Sequence, residues 1–328
     1  LRLLIESHRE AMKHILKSRE DAFVTISTGR FLMGSDTQYP EESPVIECSV
    51  DAFRIARAPV TNREFAEFIA ATNYVTVAER PVDAIALGIA DGSDLRAGSL
   101  VFTPTSGPVD LHDWRQWWRW TSGAFWRQPE GPGSTLDARE DHPVVHVAYE
   151  DAEAYCAWAG ARLPTETEWE YAARGGLESA TYAWGEEPPE VGVLKANTWQ
   201  GRFPYRNDGA DGWVGTSPVG TFPANGYDVV DMIGNVWEWT STSWTDDHSA
   251  PTCSCSPTAS RDDEAMVIKG GSHLCAPEYC RRYRPSARSS QTRDSSTSHI
   301  GFRLARDIVQ SEYVSQKAGL TSRVIPPV

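Results

Sequence analysis

Cysteine is scarce in this chain, with only six among 328 residues. That count is too thin for the disulfide framework of a small secreted scaffold, and a reducing, cytoplasmic compartment is the expectation. No apolar run reaches the roughly 18 residues that would suggest a membrane-spanning helix. No charged-then-apolar leader pattern opens the sequence. Basic residues are also in deficit, 31 against 45 acidic ones, for a formal net charge of −14. Such a surface argues against general nucleic-acid binding and suits a partner carrying positive charge. Neither a membrane nor a nucleic acid is therefore expected as a partner, and a monomer is expected.

Tryptophan and turn residues are abundant: 13 tryptophans, 25 glycines and 21 prolines. The profile predicts an α+β fold rich in ordered loop rather than a helical bundle. Apolar spacing predicts a helical extension over residues 1–20, a main domain over 21–310 and a tail over 311–328. His8 and His14 are spaced poorly for one helix face and carry no metal expectation. Residues 22–35 read as strand, turn and strand, and 45–57 as another strand pair. Thr61 with Glu64, and Thr165 with Glu168, are capping boxes that open helices. Between them a short strand is predicted at Val144–Val147, then a helix from about Tyr149 to Trp158, stopped by Gly160. The tryptophans at 114, 117, 118, 120 and 126 form either core or a peptide-binding groove.

The stretch from Lys269 to Arg284 concentrates the reactive chemistry. Gly270 and Gly271 lead into Cys275 and Cys280, and Arg281, Arg282 and Arg284 follow. Five residues at about 100° each would set the two thiols far apart around a helix, and Pro277 disfavours that helix. A turn is predicted instead, on which two sulfurs converge. Converging thiols form a disulfide or hold a soft monovalent ion such as Cu(I). The spacing alone ranks a structural disulfide first, while nearby arginines favour the thiolate.

Longer motifs carry a resemblance. His142-Pro-Val-Val-His-Val, Arg162-Leu-Pro-Thr-Glu-Thr-Glu-Trp-Glu-Tyr, Gly234-Asn-Val-Trp-Glu-Trp-Thr and Gly301-Phe-Arg resemble the sulfatase-modifying-factor superfamily, from about Phe23 to Asp307. The implied fold is an elaborated C-type-lectin-like α+β domain with little regular secondary structure. Within the superfamily, Lys269-Gly-Gly-Ser, the two cysteines, Tyr279, Tyr283 and Arg284 are similar to the active-site segment of formylglycine-generating enzymes. That resemblance implies copper-dependent oxidation, by O2, of the cysteine in a Cys-x-Pro-x-Arg motif of an unfolded sulfatase, with a thiol reductant.

By the same resemblance Cys275 and Cys280 are Cu(I) ligands, and Ser272 lines the oxygen pocket with Tyr279 and Trp237. Read without it, Ser272 caps a turn and the two aromatics are core. Two Ca2+ sites are implied as well. The first comprises Asn197, Thr198, Asp211 and Trp213; the second comprises Asp231, Gly234, Val236 and Glu238. The cysteines that form disulfides in secreted animal relatives correspond here to Ala173 with Pro285 and Cys156 with Leu304, so neither bond forms. Cys253 and Cys255 read as an unpaired loop. The rival readings are a non-catalytic binding module of the superfamily and a copper oxidase acting on a different thiol.

Overall fold

The computed structural model describes residues 22–82, 96–189, 191–246 and 265–308. The predicted N-terminal helix, the C-terminal tail and the Cys253–Cys255 loop lie outside them.

The first strands are β1 (Phe23–Ile26), β2 (Gly29–Met33), β3 (Ile46–Val50) and β4 (Phe53–Ala56). All four were expected as strands, but sequence neighbours do not pair as expected. β2 pairs with β3, and β1 pairs with β4, which also takes a distant partner from the end of the chain. A hairpin inside a hairpin results, so local turn signals identified the strands and not their partners.

Helix α1 (Asn62–Thr72) opens on the expected capping box. The Thr61 hydroxyl accepts from the Glu64 amide, and the Glu64 carboxylate accepts from the Thr61 amide at 2.8 Å. Its Phe65 and Phe68 are buried, while Ile69 is only partly covered. Then come the ribbon β5 (Gly98–Phe102) and β6 (Trp118–Ser122), helix α2 (Tyr149–Trp158) and helix α3 (Glu166–Arg174). Thr165 caps α3 through the second predicted box, and Trp169 and Ala172 face inward without exposure.

The strand expected at Val144–Val147 is absent. His146 adopts a left-handed φ of 59° and breaks the extended run. Its buried imidazole is held at both ends, Nδ1 against Ser99 Oγ at 2.7 Å and Nε2 against the Pro129 carbonyl at 2.8 Å. The segment is buried connection, hydrophobic because of where it runs.

Two short strands, β7 (Gly201–Arg202) and β8 (Arg206–Asn207), precede β9 (Trp237–Ser243), β10 (Ala265–Lys269), β11 (Arg288–Thr292), β12 (Ile300–Gly301) and β13 (Ala305–Asp307). The larger sheet runs in the order β11-β10-β9-β12, and β1-β4-β13 forms the smaller one. Trp169, Trp239, Phe65 and Phe302 fill the main core. A second cluster of Trp117, Trp199, Phe203, Leu274 and Ala276 packs beside the end of β10. Among the described residues no helix is long and apolar enough to cross a membrane.

Charge is buried in pairs throughout this interior. Glu42 holds Arg284, Glu166 holds Arg288, Glu170 holds Lys269 and Arg174, and Glu238 holds Arg303. An ion buried alone would be costly, so each partner depends on the other.

Candidate active site

Central strand β10 ends at Lys269, which lies buried against Glu170 at 2.9 Å. The chain then turns through Gly270 (φ 94°) and Gly271 (φ 70°). A methyl group on Gly271 would meet the Arg282 carbonyl at 2.8 Å. This close crossing, which only glycine allows, folds the segment after β10 back on itself. Ser272 to Cys280 then run through turns, as Pro277 predicted, and the Cys280 amide donates to the Ala276 carbonyl at 2.8 Å.

The turn brings the two sulfurs to 2.9 Å, both thiols free and buried. Cys275 is pushed well above the ordinary thiol range, chiefly by burial. Cys280 is lowered to about 7: the Cys275 thiol donates to it, and the Arg282 guanidinium adds a favourable charge. Arg282 is fixed in turn by Glu41 at 2.5 Å and lies 4.0 Å over the Tyr39 ring. Both belong to the segment around a 3-10 turn at Pro40–Glu42, where Glu42 also grips Arg284. The arginines expected to favour a thiolate thus have distinct roles. Arg282 faces the thiols, and Arg284 braces the turn.

A cavity of about 150 Å³ opens over the sulfurs. Ser272, Tyr279 and Trp237 all line it, as do Trp117, Trp118 and His299. Ser272 also builds the turn. Its amide donates to Cys275 Sγ at 3.4 Å and its hydroxyl accepts from Leu274 N at 3.2 Å. Tyr279 stacks on Phe203 at 4.4 Å and meets Trp117 edge-on at 5.2 Å, and burial pushes its phenol up to about 12. It is thus both cavity wall and packed aromatic.

Sequence reasoning missed His299 and Phe203, for which no local pattern gave a signal. Trp117 and Trp118 belong to the tryptophan cluster read as either core or a peptide-binding groove; the structure buries Trp117 and places both in the wall of this cavity. Burial lowers His299 to about 3, with His273 and His146 adding further positive-charge repulsion. Its Nδ1 is engaged with Thr297 Oγ1 at 2.6 Å.

The donor set suits a soft cation. Two adjacent thiols, one lowered toward neutrality and both shielded from water, match the preference of Cu(I) for thiolate.

The two expected calcium sets differ in fit. In the first, Asp211 Oδ1 accepts from the Trp213 amide at 2.9 Å, while Oδ2 is buried with no hydrogen-bond partner. Burial raises the Asp211 pKa. An orphaned carboxylate oxygen inside a loop is the kind of group a hard cation satisfies. In the second, Glu238 is committed elsewhere: its oxygens accept from Arg303 Nε at 2.5 Å, Arg303 Nη2 at 2.7 Å and Trp169 Nε1 at 2.7 Å. With a guanidinium against that carboxylate, a divalent cation in the second set would compete with Arg303. Asp231, raised to about 6 mainly by burial, accepts from the Gly220 amide instead. Gly234 packs so closely on Asn197 that an added methyl would meet the Asn197 carbonyl at 2.2 Å. Among the described residues no three His, Cys, Asp or Glu side chains gather as a metal cluster, so a cation near Asp211 would draw on amide and carbonyl oxygens.

Comparison with known proteins bears on this arrangement. The family model described as the sulfatase-modifying factor enzyme 1-like domain matches residues 8–308. The chain belongs to that family. It is 59% identical over 293 residues to the formylglycine-generating enzyme of Mycobacterium tuberculosis, covering 87% of this chain and 98% of that protein. It is also 38% identical over 287 residues to the bovine inactive C-alpha-formylglycine-generating enzyme 2, covering 86% of this chain and 87% of that one. Among solved structures, PvdO from Pseudomonas aeruginosa aligns with a TM-score of 0.58 at 27% identity, over 87% of this chain and 94% of the other. The α+β sulfatase-modifying-factor fold is therefore this chain's fold.

Proposed function

We propose that the protein oxidises the cysteine of a Cys-x-Pro-x-Arg segment in an unfolded sulfatase to Cα-formylglycine, with Cu(I) and O2. The observation that carries this reading is the pair of buried thiols 2.9 Å apart at the base of an aromatic cavity. The 59% identity to a formylglycine-generating enzyme supports it.

Cys275 and Cys280 would hold the copper, which when bound supplies the one-electron chemistry that O2 requires. Arg282 favours the thiolate of Cys280. Ser272 holds Cys275 through its amide, and Trp117, Trp237 and Tyr279 exclude water. Overall, the substrate thiol, O2 and two equivalents of a small thiol yield the aldehyde, hydrogen sulfide, water and one disulfide. Two electrons come from the substrate carbon–sulfur unit and two from the reductant thiols.

Ca2+ at Asn197, Thr198, Asp211 and Trp213 would tie the loop beside the site, Thr198 and Trp213 through backbone carbonyls. Cys156 remains a buried free thiol next to the core, in keeping with a reducing, cytoplasmic setting.

The test is mass spectrometry of a Cys-Thr-Pro-Ser-Arg peptide incubated with the protein, copper, air and a thiol reductant. An aldehyde that disappears with Cys275→Ser is the expected result. Tight Cu(I) binding without aldehyde would move the reading to a different thiol substrate. Loss of both would move it to a non-catalytic module, a reading favoured by the 38% identity to an inactive relative.

A further inference from the structure

The buried ions beside the thiol turn do not balance. Glu170 accepts from Arg174 at 2.7 Å and from Lys269 at 2.9 Å, and Glu166 accepts from Arg288 at 2.9 Å. Lys269 lies 3.5 Å from Glu166, which joins these pairs. Lys269 also donates to the Ser286 carbonyl at 3.3 Å. The Ser286 hydroxyl donates to Glu42 at 2.8 Å, and Glu42 holds Arg284. Every ion in this connected group is at most 4% exposed. Four are cations (Arg174, Lys269, Arg284 and Arg288) and three are anions (Glu42, Glu166 and Glu170), a surplus of one positive charge. Neighbouring Arg282 adds nothing to it, because Glu41 and the Cys280 sulfur face that guanidinium. A buried cation without a counter-charge is costly, so the group favours an anion beside it.

The surplus borders a cavity. A hollow of about 280 Å³ is lined by Arg174, Arg284 and Ser286 from the buried group and by Ser35, Thr37 and Thr181. It shares no wall residue with the cavity over the thiols. Arg174 gives Nε and Nη2 to Glu170, and Nη2 also to the Gly34 carbonyl. Its Nη1 has no partner among the described residues and is not sealed from the hollow. Ser35 and Thr37 share one hydrogen bond at 3.2 Å. Only one hydroxyl can donate in it, so the other keeps its hydrogen for a ligand. The acidic groups nearby are already engaged. Asp36 is exposed and accepts from Ser43 Oγ at 2.8 Å and the Val45 amide at 3.1 Å, while Glu186 accepts from the Thr181 amide and hydroxyl.

We propose that this hollow binds a tetrahedral oxoanion, inorganic sulfate or phosphate, with Arg174 Nη1 as its buried donor and the Ser35 and Thr37 hydroxyls as donors at the mouth. Several oxygens on one centre can accept from guanidinium and hydroxyl together, which a chloride ion does less well. Arg284 links the site to the thiol turn, because its Nε donates to the carbonyl of Arg281, the residue after Cys280, at 2.8 Å. The site stands independently of the copper chemistry proposed above.

The experiment is isothermal titration calorimetry of the full chain with sodium sulfate, and separately with sodium phosphate, in chloride buffer of constant ionic strength. Saturable binding of one anion per chain is expected, and the titrant that binds more tightly names the source. Arg174→Lys keeps the charge against Glu170 but loses the Nη1 donors, and should weaken binding at least about tenfold. Thr37→Glu keeps the test open should the buried variant fail to fold. It places a carboxylate at an exposed position on the mouth, leaves the buried ions untouched, and should weaken binding about tenfold by repulsion. Its melting temperature in chloride alone should match that of the parent. No saturable binding of either anion, or parent affinity in either folded variant, would overturn the site.

Discussion

Cys275 and Cys280 place their sulfurs 2.9 Å apart although five positions separate them, because the chain between them turns at Ala276 instead of continuing as a helix. Each thiol needs the other, both for the hydrogen bond that lowers Cys280 and for a two-coordinate soft-metal site. Cys275→Ser and Cys280→Ser should therefore each abolish tight Cu(I) binding, not halve it. A competition titration against a Cu(I) chelator measures this, and full retention in either variant would remove that residue as a ligand.

The crossing at Gly271 predicts a second route to the same loss. Gly271→Ala adds a methyl 2.8 Å from the Arg282 carbonyl at a φ of 70°. Relief requires moving the Arg282 backbone, two residues from Cys280. The variant should bind Cu(I) at least about tenfold more weakly, with a stability cost of about 1–3 kcal/mol from the strained conformation. Wild-type copper affinity in Gly271→Ala would show that the turn does not set the thiol geometry.

The first calcium set predicts a stabilising ion. Chelator treatment should lower the melting temperature, and added Ca2+ should restore it. Asp211→Asn, which removes the charge of the orphaned oxygen, should abolish that response. Differential scanning fluorimetry with and without chelator is sufficient, and identical curves for the parent protein would remove the ion.

At Glu238 the expected effect is larger and independent of calcium. Glu238→Gln leaves the buried Arg303 guanidinium without its counter-charge, a change that costs about 3–5 kcal/mol in comparable buried pairs. Denaturant unfolding measures the loss. If Glu238 instead held a calcium ion, chelating calcium in the parent protein would reproduce the loss and chelation would do nothing further in the variant.

The elements most legible in the sequence were those whose cause is local. The two capping boxes, the burial of Trp169 and the non-helical cysteine turn each depend on residues within a few positions. Pairing was not legible: β4 joins β1 and β13, which lie far apart in the chain, and nothing in its four residues names those partners. His146 looked like part of a strand because buried connections and strands are equally apolar. The cysteine pair was legible as a pair of reactive groups. Of its cavity, Ser272, Tyr279 and Trp237 were named through the family resemblance, while Trp117, Phe203 and His299 arrive from three separate segments and gave no local signal of their part in it. The pairing of Glu238 was hidden for the same reason, since its partner Arg303 stands 65 positions away.

Acid sensitivity follows from histidines that burial holds neutral, three of them strongly. Burial lowers His146 and His273 to about 4 and His299 to about 3, from an ordinary 6.5. A group whose folded pKa is depressed favours the folded state above its unfolded value, and that contribution is lost as the pH falls toward the folded values. Asp151 and Asp231 act in the opposite sense. Both are raised to about 6 by burial, so their contribution is present below 3.8 and lost as the pH rises through 6. His142 is lowered by burial in the same sense as these histidines, while Glu153 and Asp211 are raised by burial and join the opposing carboxylates, so the histidines dominate most clearly between pH 7 and 6. The melting temperature should therefore fall on acidification from pH 7, with net proton uptake on unfolding. Asp151→Asn should steepen the fall by removing one opposing carboxylate. A melting temperature that stays flat or rises between pH 7 and 6 would show that these histidines are not held neutral in the folded protein.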